Sequence, residues 1–116
     1  MVILYGVPTC KQIRDSKALF EENNIEYEFI NVKKQPLSEN QLKEAALQIG
    51  IDQLVNSRGT TYRKLGLKNM KLNESELLQW LQKEQGMIKR PLIEKNGKYW
   101  GSSKGFNAET ILEFLN

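Results

Sequence analysis

The sequence predicts one α/β domain, in which a parallel β-α-β half precedes an antiparallel β-β-α half and helices are inserted between them. Three observations support this prediction. Two apolar runs flank an amphipathic stretch within residues 2–32. Two later β-type runs are joined by Asn96-Gly97, a strong hairpin signal. Between them, over about residues 36–86, apolar residues recur at helical spacing.

The first half is predicted as strand, helix, strand. A strand covers residues 2–5, and the helix that follows Cys10 ends near Asn23. Residues 27–32 are rich in aromatic and β-branched types and form the second strand. Such a unit implies parallel pairing with a right-handed crossover.

Two helices are predicted in the inserted segment. Ser38 with Gln41, and Asn73 with Glu76, have the spacing of capping boxes. Residues 51–66 lack a clear period and are predicted as a loop followed by a short helical turn. The glycines expected to end the two helices are Gly50 and Gly86.

The second half is predicted as a hairpin of residues 87–94 and 98–101, followed by a helix that Asn107 caps. Pro91 lies inside the first of these runs and cannot donate a ladder hydrogen bond. It therefore belongs either to an edge strand or to a cis turn beside an active site.

Composition excludes several classes of protein. One cysteine cannot form an internal disulfide, and there is neither a signal-peptide pattern nor a run long enough to span a bilayer, so we expect a cytoplasmic protein without membrane association. The net charge of +3 is mild and its cations are dispersed, which argues against direct nucleic-acid binding. The chain has no histidine, which excludes Cys-His and Ser-His catalysis and argues against a metal site.

Cys10 is the strongest candidate for chemistry. It follows the turn Pro8-Thr9 and precedes the first helix, where unpaired N–H groups and the helix dipole favour an anion. A thiolate there is a nucleophile, and Lys11 and Arg14 add positive charge. The alternative interpretation is a small buried apolar residue.

Arg58 and Arg90 are candidate anion ligands. Arg58 lies in a loop rich in glycine, serine and threonine, and Arg90 precedes Pro91. A guanidinium group matches carboxylate, phosphate or arsenate oxygens bidentately. The alternative is a solvated surface position, which is the usual case for a lone arginine.

Three segments together resemble the arsenate-reductase family, which includes the ArsC enzymes, the YffB-like proteins and the Spx regulators. They are residues 2–10, the Ser-Arg-Gly-Thr-Thr-Tyr-Arg-Lys-Leu stretch at 57–65, and Ile-Lys-Arg-Pro-Leu-Ile at 88–93. The resemblance covers essentially the whole chain, 1–116, as one domain. It implies a thioredoxin-like fold with a mixed four-stranded sheet and a helical insertion.

The resemblance also implies roles for individual residues. Cys10 matches the catalytic cysteine, Arg58 and Arg90 match two arginines of an oxyanion pocket, and Pro91 matches a cis-proline. Residues 97–101 lack the further arginine of the ArsC enzymes, and Ile13 stands where Spx proteins have a second cysteine. Spx proteins also extend beyond the position of Asn116, so the closest resemblance is to the YffB-like branch.

Two functions follow as expectations. The first is a thiol-dependent reductase whose substrate is a disulfide or an oxyanion such as arsenate. Its single cysteine would need an external thiol, glutathione or a glutaredoxin- or thioredoxin-like protein, as co-substrate, and no bound cofactor. The second is an Spx-like regulator that binds RNA polymerase, with Cys10 vestigial or a sensor capped by a small thiol.

Overall fold

The computed structural model describes residues 1–116, which form a mixed four-stranded sheet and six helices. The strands are β1 Val2–Gly6, β2 Tyr27–Asn31, β3 Leu92–Lys95 and β4 Lys98–Trp100. The helices are α1 Lys11–Glu22, α2 Glu39–Ile49, α3 Ile51–Leu54, α4 Thr60–Lys64, α5 Glu74–Lys83 and α6 Ala108–Leu115. None of them is long and apolar enough to cross a membrane.

The strand order is β2-β1-β3-β4, and its two halves have the predicted directions. β1 pairs in parallel with β2 after the crossover through α1, and antiparallel with β3. β3 and β4 form the predicted hairpin, whose turn residues Asn96 and Gly97 both have positive φ, as the short turn requires. The prediction of a thioredoxin-like α/β fold is confirmed.

Local capping explains where the inserted helices begin. Ser38 with Gln41 caps α2, and Asn73 with Glu76 caps α5, each as a reciprocal capping box. Residues 51–66, which lack a clear period in the sequence, contain two short helices, α3 and α4, separated by a turn. The expected helical turn is therefore α4, and the expected loop is shorter than predicted.

The predicted strand at residues 87–94 is wrong in its first half. Gln85–Met87 forms a 3₁₀ turn, Ile88 makes only an isolated bridge to Val55, and β3 begins at Leu92. Proline at position 91 has no N–H for the ladder, so the regular pairing can start only after it. Likewise α5 ends at Lys83 rather than at Gly86, because the chain tightens into that turn.

Side chains that alternate along β1 divide the core between the two faces of the sheet. Val2 and Leu4 belong to the apolar cluster beneath α1 and α6, whereas Tyr5 belongs to the larger cluster beneath the inserted helices. Ile13, Leu19 and Phe20 anchor α1 on its side of the sheet, as their spacing predicts. The loop between β1 and α1 therefore emerges at the end of the sheet, between these two layers.

Candidate functional site

Cys10 lies where a short turn carries the chain from β1 into α1. Pro8 and Thr9 are exposed, and Cys10 is the N-cap residue with extended backbone angles. Ile13 and Arg14 donate their N–H groups to its carbonyl oxygen, while its own side chain caps nothing. The thiol is half-buried and contacts both apolar clusters. Its predicted position at a helix N-terminus is confirmed, and its reactivity stays a prediction.

Three segments of the chain meet at the edge of the sheet where Cys10 lies. Because β1 and β2 are parallel, their carboxyl ends share this edge; the Cys10 loop follows one and Lys33 follows the other. β3 runs the opposite way and begins here, with Leu92 opposite Tyr5. The Arg90–Pro91 bond just before β3 is cis, as predicted.

Arg90 is held close to the start of the Cys10 loop. Its Cδ lies 3.7 Å from the position that a Cβ would take on Gly6, the last residue of β1. Its Nη1 donates to the carbonyl oxygen of Gly86 at 3.2 Å. The side chain is therefore anchored by one backbone hydrogen bond, and no carboxylate neutralises its charge.

A polar cavity of about 260 Å³ adjoins Arg90 and is called the inner cavity below. Two cations, Arg90 and Lys33, line it, and no carboxylate does. Cys10 is not part of the lining, so the thiol and the cavity are neighbours rather than one pocket. The remaining lining residues, mostly amide- or hydroxyl-bearing, are Asn56, Gly59, Thr60, Thr61, Tyr62, Gly86 and Met87.

Arg58 does not share the inner cavity with Arg90. It is exposed in the turn before α4 and lines two other hollows, one together with Lys89 and the other together with Arg63. Asn56 belongs both to the inner cavity and to the first of these hollows, so the two are adjacent. A single oxyanion pocket formed by both arginines stays a prediction.

The cations on α1 differ in their partners. Lys11 forms an ion pair with Asp15 at 2.8 Å, and its side chain is 76% exposed. Arg14 is exposed and forms no ion pair. Lys11 therefore shares its charge with Asp15, and its expected effect on the thiol stays a prediction.

Two tyrosines flank a carboxylate between the sheet and the inserted helices. Tyr5 donates its hydroxyl to Glu94 Oε1 at 2.8 Å, and Gln41 donates to the Tyr5 oxygen at 3.4 Å. Burial, with a smaller contribution from Glu94, raises the pKa of Tyr5 well above its usual value and raises the pKa of Tyr99 to about 12. Both hydroxyls are therefore protonated at neutral pH, and that of Tyr5 links β1 to β3 through Glu94.

Sequence reasoning missed the contribution of Lys33 and Tyr62 to the inner cavity. Lys33 could have been found, since two lysines directly follow the second parallel strand and the carboxyl ends of such strands gather at one edge. Tyr62 offers no comparable signal because the tertiary placement of α4 alone brings it to the cavity.

A half-buried thiol at a helix N-terminus, beside an arginine and a cis-proline on a mixed four-stranded sheet, defines a protein of the thioredoxin-like class. Within this class the chain belongs to the ArsC family, whose model matches residues 5–114. The family assignment confirms the resemblance inferred from the three sequence segments.

Some relatives of the chain are named as transcriptional regulators, and others as arsenate reductases. It is 32% identical over 117 aligned residues to the global transcriptional regulator Spx of Listeria innocua, covering 99% of this chain and 87% of the relative. A possible arsenate reductase from Streptococcus mutans UA159 is 30% identical, with a TM-score of 0.84 and 98% of both chains covered. The structure of the protein named YFFB has a TM-score of 0.90 at 25% identity and covers both chains completely.

Proposed function

We propose that the protein is a thiol-dependent reductase in which the Cys10 thiolate attacks an oxyanion or a disulfide. The observation that carries this proposal is the position of the only thiol, at the N-cap of α1 and on the edge that Arg90 and Pro91 share. The N–H groups of the first turn and a nearby guanidinium offer donors and positive charge to an anion bound beside the thiol. Arsenate is a candidate substrate, in line with the structural relative named a possible arsenate reductase.

We assign the binding of the negatively charged substrate to the cations at this edge. Arg90 offers a planar fork that matches two oxygens of one anion, and Lys33 offers a point charge beyond the carboxyl end of the neighbouring strand β2. Arg58, which lines the adjacent hollow, is assigned as the second guanidinium. Thr9, in the turn before Cys10, and Pro91, after the cis bond before β3, are assigned supporting roles at this edge.

The covalent intermediate on Cys10 must be resolved by an external thiol, because the chain has no second cysteine to attack it. Attack on a disulfide forms a bond from Cys10 Sγ to one substrate sulfur and releases the other sulfur as a thiolate. An external thiolate then attacks the bound sulfur, and Cys10 leaves as a thiolate. With arsenate, Cys10 Sγ bonds to arsenic and one arsenate oxygen leaves as water. Two external thiols then supply the two electrons and become one disulfide, while arsenic leaves as arsenite and Cys10 is regenerated as the thiol. A small thiol such as glutathione, or a glutaredoxin- or thioredoxin-like protein, fills this role.

Intact-mass measurement tests the proposal. The reduced protein is incubated separately with glutathione disulfide and with arsenate plus glutathione, and Cys10→Ser serves as the control. We expect one glutathionyl adduct per chain with the disulfide, and arsenite production with arsenate, both absent in Cys10→Ser. If the reduced protein forms no adduct and reduces neither compound, the reductase proposal is wrong.

A second candidate function is supported by the identity to the Listeria innocua regulator. In that case the chain acts in transcription by binding RNA polymerase, and Cys10 is either silent or capped by a small thiol. Co-purification with RNA polymerase separates the candidates. Stoichiometric binding by Cys10→Ser, together with no turnover by the unmodified protein, would favour the regulator.

A further inference from the structure

Positive charge is concentrated around the segment of residues 56–63. Two outer hollows adjoin the inner cavity there, and their lining contains five cations and no carboxylate. Lys33 and Arg90 in the inner cavity extend the same surface to the edge where the thiol lies. We call this surface the basic face; the five cations of its outer hollows are Arg58, Arg63, Lys68, Lys89 and Lys104.

The charges of the basic face are not neutralised within the chain. The chain has two ion pairs, Lys11–Asp15 and Lys43–Glu39, and neither involves these cations. Seven of the 17 Lys and Arg residues belong to the basic face, so the other ten stand against 14 Asp and Glu residues. The remainder of the molecule is therefore net negative, although the whole chain has a charge of +3.

From this asymmetry we propose that the basic face docks an acidic protein that carries the external thiol to Cys10. The inference rests on the proposed reductase function and names the chemistry of its partner. A small thiol can occupy one hollow, whereas three adjoining hollows of about 250 to 370 Å³ match a larger surface. A molecule with one positive face and a negative remainder turns that face toward an acidic partner before contact, which raises the rate of association.

The composition of the basic face favours a protein partner over a nucleic acid. Its one aromatic residue, Tyr62, is half-buried, whereas sequence-independent binding of single strands uses exposed aromatic platforms. Serine, threonine and asparagine lie between the cations and offer both donors and acceptors to a peptide surface. The face also adjoins the thiol edge, which a thiol-bearing partner must reach.

Thiol exchange on a chromogenic adduct tests the docking proposal. Cys10 is first converted to its mixed disulfide with thionitrobenzoate, and a peptide thiol then displaces the chromophore. The peptide sulfur bonds to Cys10 Sγ, the Cys10–thionitrobenzoate bond breaks, and the coloured thiolate leaves. Two cysteine peptides are compared, one flanked by glutamates and one by lysines. Each rate is divided by the same peptide's rate on the thionitrobenzoate adduct of mercaptoethanol, which removes differences in intrinsic thiol reactivity.

We expect the acidic peptide to react at least about tenfold faster than the basic one at low salt, and the ratio to approach one at high salt. The double variant Lys89→Glu with Lys104→Glu should lose this preference. Lys43→Glu with Lys98→Glu makes the same change in net charge away from the basic face and should keep it.

The outcomes separate the docking proposal from the function on which it rests. If Cys10 forms no thionitrobenzoate adduct, both are overturned. If the adduct forms but the two peptides react equally, or if both double variants lose the preference, the docking proposal fails and the reductase proposal stands. Tight binding of a single-stranded oligonucleotide at physiological salt, abolished by the Lys89 and Lys104 changes, would assign the basic face to nucleic acid instead.

Discussion

Gly6 and Ile13 face each other across the turn that carries Cys10, so closely that no side chain fits at position 6. A Cβ on Gly6 would lie 2.6 Å from Cγ1 of Ile13. Ile13 is fully buried in the cluster beneath α1 and α6, so it has little room to move away. This contact sets the distance between the end of β1 and the first turn of α1.

Gly6→Ala should therefore lower the free energy of unfolding by about 1–3 kcal/mol, the usual cost of overpacking a core. It should also change the rate at which iodoacetamide alkylates Cys10, because α1 has to shift. Urea denaturation and intact-mass kinetics measure the two effects. Gly86→Ala is the matched control, since a Cβ there meets only Lys33 Cε at 3.6 Å. Equal destabilisation by the two variants would contradict the argument.

Alkylation kinetics at neutral pH distinguish the cations around the thiol. Arg90→Ala should slow the alkylation of Cys10 severalfold, because an unpaired guanidinium near the loop is removed. Lys11→Ala should change the rate little, because Lys11 is exposed and paired with Asp15. The prediction fails if loss of Lys11 slows the reaction as much as loss of Arg90.

An anion titration followed by NMR tests the assigned oxyanion ligands. Phosphate, sulfate or arsenate should shift the backbone amide signals of residues 9–13, with a dissociation constant of about millimolar order. Arg90→Ala should abolish the response. Arg90→Lys should weaken it, since lysine keeps the charge but not the fork, and Lys33→Ala should weaken it as well.

Arg58→Ala adds a decisive comparison to this titration. A loss of response as large as that of Arg90→Ala would show that both arginines act on one anion, although they line separate hollows. If no signal near Cys10 moves at tens of millimolar anion, a concentration well above the expected constant, the oxyanion-reductase proposal is wrong.

The stability contributed by Tyr5 and Tyr99 should fall as the pH rises above about 10. The unfolded tyrosines lose their protons near the ordinary pKa of 10.0, whereas burial and Glu94 raise the pKa of Tyr99 to about 12 and that of Tyr5 further. The native state thus binds more protons than the unfolded state in this window, so stability decreases as pH rises. Urea denaturation at several pH values measures the slope, which Tyr5→Phe should reduce. An equally steep slope in Tyr5→Phe would exclude Tyr5 as a source.

Gln85 links the start of the inserted segment, at Leu37, to the turn that precedes Arg90. Its buried amide accepts from Leu37 N at 2.9 Å and donates to Leu37 O at 3.1 Å and to Gln82 O at 3.0 Å. Gln85→Ala should cost about 2–4 kcal/mol in the free energy of unfolding, because buried backbone groups lose their partners. Gln85→Glu keeps the acceptor and loses the donor. Denaturation by urea should show both variants destabilised; a neutral effect of the alanine variant would exclude the bridge.

The sequence allowed much of the fold to be predicted because the signals that decide it are local. Capping boxes at Ser38 and Asn73 and the positive-φ turn at Asn96-Gly97 depend on neighbours a few residues away. The start of β3 could not be predicted from β-propensity, since the tight turn at Gln85–Met87 and the cis bond before Pro91 override it.

The candidate site was predictable only in part, for a related reason. The placement of Cys10 follows from the order of strand, turn and helix along the chain. The inner cavity depends on how α4 packs against the sheet edge, and the separation of Arg58 from Arg90 depends on the same packing. The ion pair of Lys11 with Asp15 was not predicted, because spacing shows which residues are near the thiol but not how their side chains pair.

The presence of isoleucine rather than a second cysteine at position 13 has a thermodynamic consequence for the proposed chemistry. A protein with two thiols is oxidised to an internal disulfide. At equilibrium its ratio of oxidised to reduced form is proportional to the surrounding disulfide concentration divided by the square of the thiol concentration. Here the residue one turn beyond Cys10 is fixed in the core as isoleucine, and the chain has one sulfhydryl. Its oxidised form is a mixed disulfide, whose fraction follows the simple ratio of disulfide to thiol. Diluting the surrounding thiol pool at a constant ratio would therefore leave this protein's oxidation unchanged, while it would oxidise a dithiol protein further.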